Sequence, residues 1–145
     1  MELKKESMQI LKEKSRAKSQ ITFDEDFNVP DAKPDAGRLI QNKGRIIMDD
    51  VRLTDGKGIL TGNLQVDILY VGEERGIVSS LTAKLPFEET LNLKDIINGD
   101  KMCLKWEIED LTIRLIHSRK LNIKALVTFC ATVDETEQIR LPVVL

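Results

Sequence analysis

The sequence predicts a mostly β domain, an antiparallel bent sandwich or partly open barrel with an N-terminal α-helix. Three observations carry this. Residues 58–71 and 121–133 alternate apolar with polar side chains, the period-two pattern of half-buried strands. Asp55-Gly56 lies between two apolar runs and suits a tight hairpin whose central residues both need positive φ. Residues 2–18 instead are charged and free of Gly and Pro, and put Leu3, Ile10 and Leu11 on one helical face.

The 145 residues suffice for one domain with its own core. The composition is 41% hydrophobic and 32% charged, with a net charge of −2. Six Lys/Arg against three Glu make residues 1–20 +3, leaving −5 on the remainder. Overall charge offers no basic patch to neutralise phosphates, so no nucleic-acid partner is expected. The start, Met1-Glu2-Leu3-Lys4-Lys5-Glu6, lacks the apolar stretch of a secretory signal, and no apolar run approaches bilayer length. Cys103 and Cys130 make no disulfide framework and read as reduced thiols in a cytosolic protein.

The elements are expected in this order. Residues 1–20 form a basic helix with a thin apolar stripe, marginal unless it docks on the body or on another copy. In residues 21–29, Ile21, Phe23, Phe27 and Val29 share one strand face, with Glu25 as the exception. Pro30 and Pro34 then fix φ twice and remove two backbone donors, breaking regular structure. Asp35 is placed to cap a short helical turn over residues 36–40. From Gly44 to Thr54 a strand slips phase at Asp49-Asp50: Ile46 and Met48 hold one parity, Val51 and Leu53 the other. A β-bulge would restore one apolar face.

After the Asp55-Gly56 turn, Leu60, Leu64, Val66, Ile68 and Tyr70 line one side of a long strand. Ile77, Leu81, Ala83 and Leu85 mark the next, which Pro86 ends or confines to a sheet edge, and residues 87–93 add a short strand. Met102, Leu104, Trp106 and Ile108 alternate until a second slip near Glu109-Asp110. Tyr70 and Trp106 share the parity of apolar neighbours and are expected in the core. Leu121 to Val133 is the last long strand. The β-rich domain spans 21–138, and 139–145 is a terminal strand or a linker to a further domain.

No catalytic set or cofactor site is legible. His117 is the only histidine and sits in a turn without convergent partners, so no metal site is expected. The acidic pairs Asp49-Asp50, Glu73-Glu74, Glu88-Glu89 and Glu109-Asp110 place adjacent carboxylates on opposite strand faces, which suits bulges and protected edges better than glycoside hydrolysis. Gly56-Lys57-Gly58 lacks the spacing and following helix of a phosphate loop. The stretch Pro30–Arg38 alone combines rigid backbone with mixed charge. It covers an open end of the core, or meets a partner through Asp31, Lys33, Asp35 and Arg38.

Val29-Pro30-Asp31-Ala32-Lys33-Pro34-Asp35, then Asp55-Gly56-Lys57-Gly58, then residues 62–70, Pro86-Phe87-Glu88-Glu89 and Glu109-Asp110-Leu111 follow an order that resembles the SPOCS domain of clostridial spore-coat proteins. The resemblance is to the SipL type, in which this module precedes a LysM domain, and it runs from about residue 20 to residue 133. No LysM module lies within these residues. The resemblance implies a binding module and not an enzyme: an adaptor for spore-coat morphogenetic proteins, working in the mother-cell cytoplasm at the forespore surface. The competing expectation is a glycan-binding module for cortex peptidoglycan, which would need a groove with exposed aromatics. Self-association would run through the N-terminal helix or the sheet edges.

Overall fold

The computed structural model describes residues 3–94 and 100–144, with side-chain surroundings for 12–94 and 100–135. Six long strands follow in order: β1 (Leu3–Asn28), β2 (Ala36–Thr54), β3 (Lys57–Gly72), β4 (Val78–Asn92), β5 (Lys101–His117) and β6 (Lys120–Val144). They form two antiparallel three-stranded sheets, ordered β1-β6-β5 and β2-β3-β4. The sheets face one another, with β5 beside β2 along one seam and β1 beside β4 along the other. The fold is the expected antiparallel sandwich; the two sheets do not join into a closed barrel.

The alternating runs become the two central strands. Leu60, Leu64, Val66, Ile68 and Tyr70 of β3 are fully buried, as are Leu121, Ile123, Val127, Phe129 and Val133 of β6. Burying one such aliphatic or aromatic side chain stabilises by about 1.5–3 kcal/mol, so this double row is the main source of cohesion. Phe87 of β4 links the layers, its ring centroid 6.2 Å from Phe23 and 5.3 Å from Phe129.

Asp55 and Gly56 both take positive φ, 44° and 75°, and join Thr54 directly to Lys57. This is the tight hairpin the dipeptide predicts. Both expected phase slips are bulges: the β2 register shifts between Met48 and Asp50, and the β5 register between Ile108 and Asp110. The first has a steric counterpart across the ladder. Gly62 pairs with Met48, and a Cβ on it would overlap the Ile47 carbonyl oxygen.

Four expectations need correction. No helix forms in residues 1–20 among the described residues. The chain from Leu3 is strand, paired with β6 from Leu3↔Val144 to Asn28↔Lys120. Helix propensity there is high, but the apolar stripe is thin and an isolated helix of this length is marginal, while β6 offers a long ladder for the backbone. β1 runs unbroken past residue 20, and β6 past residue 138. At the β1 register shift between Glu13 and Ser15, Lys14 reaches the largely buried Asp100 carboxylate at 2.9 Å. A helical turn over 36–40 is also absent: β2 begins at Ala36. Residues 87–93 are not a separate short strand, because β4 continues through Pro86 to Asn92. It is an edge strand, so the missing N–H breaks no interior ladder. The fourth correction is Trp106, 42% exposed. Its parity is inward, opposite Phe129 in the ladder, but β5 is an edge strand whose margin the second sheet leaves uncovered.

Candidate recognition surface

The proline segment is the crossover from the first sheet to the second. Its two ends are tied to the β5–β6 turn: Val29 N–H donates to the Arg119 carbonyl and Ala36 N–H to the Ser118 carbonyl, each at 2.8 Å. Prolines remove two N–H donors from the segment; Lys33 N–H still donates to the Pro30 carbonyl at 2.9 Å, while the Val29 and Lys33 carbonyls are met from outside it. Arg119 supplies those outside donors. Its Nη1 donates to the Lys33 carbonyl (2.7 Å) and the Asp35 carboxylate (3.0 Å), and its Nη2 to the carbonyls of Val29 (3.0 Å) and Pro30 (2.9 Å). One planar guanidinium thus holds four acceptors of one loop, a task its fixed fork suits.

The core closes beneath this loop. Val29 and Ala36 are buried, and the buried Tyr70 hydroxyl donates to the Pro34 carbonyl at 2.9 Å. Burial raises the Tyr70 pKa, which keeps the hydroxyl protonated as a donor. The segment therefore caps one end of the sandwich.

The four candidate residues occupy different positions on the cap. Asp31 projects fully into solvent, 3.9 Å from the Arg119 guanidinium. Lys33 is half-buried and contributes its carbonyl to the clasp. Asp35 is ion-paired with Arg119, while its carbonyl accepts from Glu73 N–H at 2.8 Å. Arg38 is exposed on β2, opposite Val71 in the β3 ladder.

Arg38 borders a surface that the sequence reading missed. Val71 pairs with Val78, and Leu69 pairs with Ser80 and Gln41, all on the outward side of the second sheet. Leu69 is 38% and Val78 57% exposed; Ile40, the extra residue of a β2 bulge beside Gln41, is 49% exposed. A cluster of outward apolar side chains rimmed by charge is a common mark of an interaction surface. Its signal was present in the sequence. Thr61, Asn63, Gln65 and Asp67 set a polar outward parity that Leu69 and Val71 then break. Arg119 had no comparable signal, since its partners lie some ninety residues away.

On the first sheet, a shallow groove of about 470 Å³ runs past Trp106, lined also by Arg16, Lys18, Lys105, Glu107, Glu109, Thr128 and Cys130. Cys103 is exposed and Cys130 half-buried, and both are free thiols. His117 is exposed, and its Nδ1 accepts from Arg119 N–H at 3.1 Å, which shapes the turn. Among the described residues no group of three or more His, Cys, Asp or Glu side chains could hold a metal ion, and no helix is long and apolar enough to cross a membrane.

Comparison with known proteins adds one finding. No curated protein and no solved structure matches the chain. The family described as SipL, SPOCS domain, matches residues 35–116, from the last residue of the proline segment through β5. The match takes in the whole second sheet, the outward apolar cluster and Trp106, and on it the chain belongs to the SipL SPOCS-domain family.

Proposed function

We propose that this domain is a non-catalytic protein-interaction module, an adaptor in spore coat and envelope assembly. Its partners are spore-coat morphogenetic proteins, met in the mother-cell cytoplasm at the forespore surface. Family membership supplies the sporulation context. The observation that carries the reading is the continuity of the clasped Pro30–Arg38 cap with the outward cluster of Ile40, Leu69, Val71 and Val78. The apolar side chains supply contact area, while Asp31, Lys33, Asp35 and Arg38 supply orientation and specificity. A loop already fixed by its prolines and Arg119 loses little further entropy on binding.

Two variants test this: Lys33→Glu with Arg38→Glu, and Leu69→Asp with Val78→Asp. All four side chains are exposed or half-exposed, so melting temperatures should stay close to wild type. Each variant should lose its position at the forespore surface, followed as a fluorescent fusion in sporulating cells. Normal localisation of both folded variants would refute the assignment.

Glycan binding is the second reading, and the exposure of Trp106 at the β5 edge favours it. Added peptidoglycan fragments should then shift Trp106 emission; unchanged emission at saturating fragment concentration removes this reading.

A further inference from the structure

The sandwich has four edge strands, and three are visibly blunted. β2 breaks register at three places, β4 carries Pro86, and β1 places Ser15, Ser19 and Glu25 on the parity of its apolar residues. Bulges, prolines and inward-pointing charges are the usual means of preventing edge-to-edge pairing. From Lys101 to Ile108, β5 has none of them: no proline, no bulge, and an inward parity of Met102, Leu104, Trp106 and Ile108. The neighbouring seam is tight where Gly44 of β2 faces Leu111 and Ile108. Beyond that point it opens, and Val51, Leu53 and Trp106 stay 37–42% exposed although all three share inward parity.

We infer that β5 pairs with β5 of a second copy, antiparallel about a two-fold axis through Trp106, joining two three-stranded sheets into one of six strands. The sequence of β5 is complementary to itself in this register. Trp106 meets Trp106 and Leu104 meets Ile108 on the inner face, while Lys105 lies opposite Glu107 on the outer face, twice by symmetry. Registers centred on Lys105 or Glu107 would set those like charges against themselves. A register centred on Leu104 pairs Lys101 with Glu107 but leaves Lys105 opposite Cys103, so Lys105 distinguishes the two. The bulge at Glu109 closes the new ladder at each end. The inference does not depend on the adaptor reading, because it concerns a different edge and partner.

The test is the mass of the full chain by light scattering and native mass spectrometry across micromolar to millimolar concentrations. Wild type should approach the dimer mass. Lys105→Glu alone and Glu107→Lys alone should each weaken association at least about tenfold, because each puts like charges opposite one another twice. An equimolar mixture of the two variants should recover a dimer holding one copy of each, since every cross-strand pair is then of opposite sign. Both side chains are exposed, and an unchanged melting temperature checks that the variants fold. A monomeric wild type, single variants that dimerise like wild type, or a mixture that stays monomeric overturns the inference. So does a dimer that survives Lys105→Glu but not Glu107→Lys, or one lost on Lys18→Glu in β1 instead.

Discussion

At the scale of single residues, Arg119 fixes the proline-capped end of the sandwich. It donates to three carbonyls and one carboxylate of the segment, of which only the Pro30 carbonyl also has a donor within the loop, Lys33 N–H. Partial exposure lets water replace some of these bonds, so Arg119→Ala should cost about 2 kcal/mol, measured by urea unfolding. Arg119→Lys should recover little of this, because an ammonium cannot span two directions as the guanidinium does. A lysine variant as stable as wild type would mean that the fork geometry is irrelevant. A milder case lies at the β1–β6 ladder. Asn122 Nδ2 donates to the carboxylates of Asp24 and Asp26 at 3.0 and 2.9 Å, and the Asn122 hydrogen bond lowers the Asp26 pKa. That contribution is present above the ordinary carboxylate pKa and fades as pH falls through the lowered one.

At the scale of elements, Trp106 separates parity from burial. Alternation states which face of a strand a residue takes; the opposite layer decides whether that face is covered. Trp106→Ala in the monomeric domain should therefore cost about 1–2 kcal/mol, below the roughly 3–5 kcal/mol of a fully buried aromatic. Native emission should be quenched readily by acrylamide, and a blue-shifted, protected tryptophan in the monomer would contradict the exposed placement. Most of the fold was legible by the same logic. The alternation of β3 and β6, the Asp55-Gly56 hairpin and the two bulges all follow from local pattern. The end of β1 was legible as strand in residues 21–28, but residues 3–20 were not, because their composition favours helix and their conformation is set by a partner more than a hundred residues away. Of the candidate site, the rigid cap could be read from its prolines. The clasping arginine could not, and the apolar cluster beside Arg38 went unread although Leu69 and Val71 announce it by breaking the outward polar parity.

At the scale of the whole molecule, the second sheet is a meander of consecutive strands, whereas the first joins the beginning of the chain to its end. The β5–β6 pairs of the first sheet form a local hairpin, but the β1–β6 pairs are distant in sequence, and loop closure must precede them. Far-UV circular dichroism should show a strand spectrum without the helical share that residues 1–20 would contribute as a helix. A clear helical component would restore the helix and break the β1–β6 ladder.

That ladder has a mechanical consequence. Leu3 lies opposite Val144, so the two ends of the chain leave the sandwich side by side. Tension applied between them acts across the strands, not along them, and loads one pair of backbone bonds at a time. Pulled by its ends in an optical trap, the domain should open like a zipper at low force, first down to the irregularity at Lys14 and then through the rest of β1. Pulled instead between sites in β3 and β6, where no shared ladder can peel, the same sandwich should resist far more.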